Sequence, residues 1–244
     1  MIANKTVAVT GCSSSGIGLE FLKQLLKPER KNTCVAAARR VSPELQRLAD
    51  ANPGRLLITN LDVADEASGT KVDVVINNAG IYGPSRQDLD TVDAALMLQA
   101  GAGLGLLGRE ADAFRLAFGH ATRHHVFTTN ALGPLLVVQQ LRKHGLLKRP
   151  ATMGSVDDNT SGACLAYRAS KSALNIISKS LSIDLAGEGV TTVLLHPGYV
   201  RTPMTGGAGL IDVDMSVGGM LSVLESGRQL QGRWYAWDGK EIPW

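Results

Sequence analysis

Cysteine is scarce in this chain. Cys12, Cys34 and Cys164 are odd in number and lack metal-ligand spacing, which argues against a disulfide framework and for free thiols in a reducing compartment. Long apolar runs are absent too: no stretch reaches the roughly 20 residues that a membrane-spanning helix needs. The opening, MIANKTVAVTG, goes straight into a strand-like pattern without a charged-then-apolar leader. No secretory signal is therefore expected, and the cytoplasm is the default location. Nor is there a charge excess of one sign. The net charge is +3, with Lys and Arg scattered along the chain, which argues against nucleic acid as a partner. Repeats and linkers are missing. The 244 residues, 44% hydrophobic and 19% charged, read as one globular domain over 1–244 with length enough for a sizeable core.

What the chain does have is Tyr167-Arg168-Ala169-Ser170-Lys171. From Ala166 to Leu185 the apolar residues recur at helical spacing (Leu174, Ile177, Leu181, then Ile183 and Leu185). Positions four apart share a helix face, so the Tyr167 hydroxyl and the Lys171 ammonium are expected at one site. A free phenol, with a pKa of about 10, carries protons poorly at neutral pH. A fixed cation beside it favours the phenolate and makes Tyr167 a usable general acid or base. Alone, the pair reads as an ordinary solvated helix face; a nucleotide fold around it changes that reading.

Such a fold is announced at the N-terminus. A β-rich run, Lys5–Thr10, leads into Gly11-Cys12-Ser13-Ser14-Ser15-Gly16-Ile17-Gly18 and then the apolar-periodic helix LEFLKQLLK. Strand, Gly-rich turn and helix in that order form the phosphate-binding opening of a dinucleotide fold. The glycines admit the pyrophosphate, and the helix N-terminus offers unpaired N–H groups and partial positive charge. A second strand, Thr33–Ala38, ends at Arg39-Arg40 with no Asp or Glu. An acidic residue there suits a ribose 2′-hydroxyl and arginine a 2′-phosphate, so Arg39 favours NADP over NAD.

Arg55–Asn60 and Val72–Ile76 read as third and fourth strands, rich in Val, Ile and Leu as parallel strands covered on both faces should be. Lys148 to Ser155 stands where a fifth strand belongs, short and broken by Pro150, which has no donor for a central ladder. Val190–Leu195 is a sixth strand, Val213–Leu224 a helix and Gly232–Trp237 a last strand. Together these give an α/β, doubly wound (Rossmann-type), mostly parallel sheet with helices on both faces. Residues 84–129 form an atypical insertion. Its formal GxGxxG (Gly103, Gly105, Gly108) follows no strand and reads as flexible small-residue sequence. His120, His124 and His125 have i,i+4 spacing but no Cys or carboxylate partner, so a solvated face is expected and no metal.

Five motifs in this order, TGCSSSGIG (10–18), LDV (61–63), NNAG (77–80), YRASK (167–171) and HPGYVRT (196–202), resemble the short-chain dehydrogenase/reductase family. Within it, MGSVDDNTSG (153–162), YRASKSALN (167–175) and WDGKEIPW (237–244) are most like the C-factor and sniffer type of carbonyl reductase. The resemblance implies hydride transfer between NADP(H), with NAD(H) the lesser fit, and a carbonyl or alcohol carbon. By position it implies that Gly11, Ser14, Gly16, Ile17 and Gly18 line the pyrophosphate turn and that Asp62 and Val63 meet the adenine. Asn77, Ala79 and Gly80 would flank the cofactor, with Pro197, Gly198, Val200 and Thr202 at its nicotinamide end. Tyr167 would exchange the proton with the substrate oxygen, Lys171 would hold the nicotinamide ribose, and Asn130 would anchor a relay water. The partner implied is a small carbonyl or alcohol, and a homodimer through the helices beginning near Asn130 and Tyr167 is expected from the family.

The chain departs from that family pattern in four places. Four residues, not three, separate Gly11 from Gly16; the connection after Val63 is short; the stretch before Asn130 is long; and Ala151 falls where a carbonyl-polarising serine is usual. Ser155, twelve residues before Tyr167, or Thr152 is then the candidate hydroxyl, and a plain turn serine is the alternative. Two functions follow: a carbonyl reductase using Tyr167, Lys171, Asn130 and Ser155, or a catalytically weakened dinucleotide-binding sensor or docking protein.

Overall fold

The computed structural model describes residues 1–13, 15–60, 72–80, 130, 150–152 and 165–244. Among them are seven strands: β1 (Thr6–Thr10), β2 (Thr33–Ala38), β3 (Leu56–Asn60), β4 (Val74–Ile76), β5 (Pro150–Thr152), β6 (Val193–His196) and β7 (Arg233–Ala236). They form one sheet in the order β3-β2-β1-β4-β5-β6-β7, and every pairing is parallel. The described helices are α1 (Ile17–Leu25), α2 (Pro43–Asp50), α3 (Leu165–Asp184) and α4 (Val213–Glu225). This is the doubly wound arrangement expected from the sequence.

Alternation along the strands explains why both faces need cover. Val193 and Leu195 of β6 join Val7, Val9 and Ile76 in the core under α1 and α4, where Leu22, Leu25, Val217 and Leu221 meet them. Leu194, between those two β6 residues, is equally buried but points the other way, as does Trp234, its register partner on β7. On that second side α3 packs over β5 and β6, with Leu174 buried.

Three details differ from the sequence expectation. Pro150 is accommodated in a central position because it is the first residue of β5, paired with Val75, where a missing N–H costs least. The sixth strand starts at Val193, three residues later than expected. Helix α2 was not anticipated. Ser42 caps it, its Oγ accepting from the Leu45 N–H at 3.2 Å, and Pro43 opens it, the N-terminal chemistry that helices favour. Its only buried residue is Leu45, so the chain shows little apolar periodicity there.

Candidate functional site

In an open parallel sheet, ligands bind beyond the carboxyl ends of the strands, where the strand order reverses. Here the reversal lies between β1 and β4, and Thr10 and Asn78 lace the two strand ends together. Thr10 Oγ1 accepts from the N–H groups of Asn78 and Ala79, each at 3.0 Å. The Asn78 amide donates in return to the carbonyls of Thr10 at 3.1 Å and Gly11 at 3.3 Å.

That lacing presses the Gly-rich turn tightly. Gly11 has φ +73°, and a Cβ there would lie 2.7 Å from Ala79 Cα, so no side chain fits. A Cβ on Gly18 would lie 2.5 Å from the Gly11 carbonyl oxygen. Gly16 is the opposite case. It precedes α1 with an extended backbone and no side-chain cap, and a Cβ on it would meet nothing within 4 Å. The start of α1, where the first N–H groups of a helix lack intrahelical partners, thus has open space at Gly16 and no side-chain cap. Beyond β2, Arg39 and Arg40 are exposed, and neither side chain has an ion pair or hydrogen bond among the described residues.

From the other side, α3 brings Tyr167 and Lys171 to the same edge. Lys171 Nζ stands 5.6 Å from the centre of the Tyr167 ring, as their helical spacing required. Asn130 and Lys171 converge on Gly80: the position of a Gly80 Cβ is 3.3 Å from Asn130 Oδ1 and 3.7 Å from Lys171 Nζ. Asn130 is fully buried. Its Nδ2 donates to Ser170 Oγ at 3.1 Å, and Ser170 donates in turn to the Tyr167 carbonyl at 2.7 Å. Burial lowers the pKa of Lys171 to about 8, because a desolvated ammonium is disfavoured.

A third group of residues stands at the end of β6. Pro197 is buried, and its carbonyl accepts from Ser216 Oγ of α4 at 2.7 Å. Gly198 has φ +85°. Val200 is buried and forms a β-bridge with Ile211. Thr202 caps a short 3₁₀ turn, Pro203–Thr205, in a reciprocal capping box.

A family model for short chain dehydrogenases matches residues 5–209. The chain belongs to the short-chain dehydrogenase family. It is 38% identical over 183 residues to the C-signal of Myxococcus xanthus, a match covering 71% of this chain and 93% of that protein. Two solved carbonyl reductases share its fold. The NADPH-bound enzyme from chicken fatty liver is 27% identical with a TM-score of 0.75, over 99% of this chain and 100% of the other. The Sniffer enzyme of D. melanogaster is 25% identical with a TM-score of 0.77, over the same shares. The likeness to the C-factor and sniffer type read from the sequence agrees with these relatives.

Of the predicted site residues, Gly11, Gly16, Ile17, Gly18, Arg39, Asn77, Ala79, Gly80, Pro197, Gly198, Val200 and Thr202 all lie at or just beyond the carboxyl ends of β1, β2, β4 and β6, with Lys171 and Asn130 brought to Gly80 and Tyr167 beside Lys171. Ser14, Asp62, Val63 and Ser155 lie outside the described residues, as do the 84–129 insertion, its three histidines and the Gly103–Gly108 run. At Thr152 only the backbone is described. Of the three predicted free thiols, Cys12 and Cys34 are free, and Cys164 lies outside the described residues. Burial pushes both thiols up, Cys34 to about 12, so both stay protonated. Sequence reading missed Thr10, Asn78, Ser170 and Ser216. The first three are ordinary small polar residues inside recognised motifs and Ser216 lies within α4; only the fold reveals that each ties two segments together.

Proposed function

We propose that the protein is an NADP(H)-dependent oxidoreductase that interconverts a carbonyl and an alcohol, with Tyr167 as proton donor and acceptor. The observation that carries this reading is the convergence of Lys171 and Asn130 on Gly80, with the Tyr167 ring beside Lys171, next to the strand-order reversal between β1 and β4. The described residues fit a dinucleotide. The open space at Gly16 and the uncapped start of α1 suit a pyrophosphate. The exposed Arg39 suits a 2′-phosphate better than a hydroxyl, and known relatives of this fold include a carbonyl reductase solved with NADPH.

The bound cofactor supplies or takes up the hydride. The chain's own residues manage the proton. Tyr167 gives its hydroxyl proton to the developing alkoxide oxygen in reduction and takes it back in oxidation. The Lys171 ammonium favours negative charge on Tyr167 and would hold the nicotinamide ribose. Asn130, oriented by Ser170, holds a water that returns the proton. Ser155, or Thr152, is the hydroxyl that polarises the substrate carbonyl in the same reading.

One observation favours a second reading, the catalytically weakened dinucleotide-binding sensor or docking protein. Strand β5, which precedes the candidate hydroxyl, is only three residues long and opens on Pro150. Titration with NADPH and NADH, followed by a panel of small carbonyls and quinones watched at the cofactor absorbance, separates the two. The reductase reading expects tighter NADPH binding and turnover of panel members. Tight binding without turnover favours the sensor, and binding of neither cofactor overturns both.

A further inference from the structure

The residue that fixes the turn after β6 lies outside the five family motifs, at the head of the WDGKEIPW run. It is Trp237, directly after β7. Three successive residues, His196, Pro197 and Gly198, are held from two elements distant in sequence. The Trp237 N–H donates to the His196 carbonyl at 2.8 Å. Ser216 Oγ holds the Pro197 carbonyl at 2.7 Å. The Trp237 indole fills the place a Gly198 side chain would take: a Cβ there would lie 2.9 Å from both Cδ1 and Nε1 of the ring.

The other edge of Trp237 is seated equally closely. A Cβ on Gly219 of α4 would lie 2.2 Å from the Trp237 carbonyl oxygen and 2.9 Å from ring atom Cε3. Two glycines, one in the β6 turn and one in α4, thus leave space for one indole. Gly198 is further committed by φ +85° and by Ile211 Cδ1, 3.0 Å from the same Cβ position. A flat, rigid ring wedged between two backbones fixes their separation in a way a flexible side chain cannot. The hydrogen bond to His196 then sets the height of the turn relative to β6.

We infer that Trp237 is a positioning residue for the nicotinamide end of the dinucleotide, acting through the Pro197–Gly198 turn. This rests on the dinucleotide reading above, in which that turn meets the nicotinamide. Trp237 touches neither substrate nor reacting atoms in this assignment. It sets the wall against which the nicotinamide is aligned, while the adenosine end, held at the Gly11–Gly18 turn and Arg39, is served by other elements.

The two ends of the ligand provide the test. NADPH reports on both, whereas 2′,5′-ADP carries only the adenosine end. Trp237→Ala should raise the Kd for NADPH about tenfold and lower turnover by up to ~10²-fold, as loss of pre-organisation does. It should reduce the enhanced emission of bound NADPH and leave the Kd for 2′,5′-ADP within about twofold. Trp237→Phe, which keeps a flat ring, should recover most of the NADPH affinity and emission. If Trp237→Ala does not fold, Trp237→Leu is read by the same criteria. Equal weakening of both ligands, or NADPH affinity and emission like those of the parent, overturns the assignment. A parent protein that binds neither probe overturns the dinucleotide reading and this assignment with it.

Discussion

Asn130 and Lys171 flank Gly80 so closely that a methyl group there would lie 3.3 Å from Asn130 Oδ1 and 3.7 Å from Lys171 Nζ. Asn130 has little room to yield, being fully buried and bonded to Ser170. Gly80→Ala is therefore expected to displace Asn130 and Lys171 by a few tenths of an ångström. Steady-state kinetics should show kcat/KM reduced by about tenfold or more, while thermal melting moves by only a few degrees. A variant with parental kinetics would contradict the crowding argument.

The two glycines of the nucleotide turn should separate stability from binding. Gly18→Ala forces a Cβ to 2.5 Å from the Gly11 carbonyl oxygen, and overpacking of that kind costs roughly 1–3 kcal/mol. A lowered melting temperature without ligand checks it. Gly16→Ala enters open space on an extended backbone, so it should leave stability within about 1 kcal/mol. It should nonetheless weaken NADPH binding, because the methyl group occupies the approach to the start of α1. Isothermal titration of the two variants reads the split.

Arg39 is the cofactor-choice residue in this account. Arg39→Asp exchanges a 2′-phosphate partner for a 2′-hydroxyl partner. The ratio of NADH to NADPH affinity should rise by about 10²-fold, the size of losing a charge-assisted contact and gaining a repulsive one. Parallel titrations with the two cofactors decide it, and an unchanged ratio would remove Arg39 from the site.

Lys171 gives a pH dependence with a definite sign. Its pKa falls from the ordinary 10.5 to about 8 through burial, so the folded protein releases this proton earlier than the unfolded chain. Stability should therefore rise with pH between about 8 and 10.5, with the full penalty of the buried charge present below 8. Lys171→Met should accordingly stabilise the protein at pH 7 and lose that advantage by pH 10, as melting at the two pH values will show. In kinetics, kcat/KM should fall as pH rises through about 8, where the cation is lost. Lys171→Arg, charged to above pH ~12, should move that limb upward.

Motif-bearing segments were legible in the sequence because local pattern and tertiary role coincide in them. The run Tyr167–Lys171 predicts a shared helix face, and the fold delivers it. The strand–turn–helix order at Thr6–Leu25 is as plain in the chain as in the sheet. Helix α2 escaped notice because a helix that buries only Leu45 has little apolar periodicity, although Ser42-Pro43 carried the cap signal. Thr10, Asn78 and Trp237 escaped for a different reason. Each acts on a segment distant in sequence: Thr10 on Asn78 and Ala79, Trp237 on His196 and Gly198. No local pattern records a contact across 68 residues. Pro150 suggested a disrupted fifth strand, yet at the first position of β5 its missing donor is tolerated.

Tyr167→Phe tests the central claim most directly, because it removes one hydroxyl and keeps the ring that faces Lys171. NADPH affinity should stay within a few-fold of the parent, while carbonyl reduction falls by about 10²–10⁴-fold, the worth of a positioned general acid. Turnover that survives the loss of that hydroxyl would contradict the assignment of Tyr167 as the proton carrier.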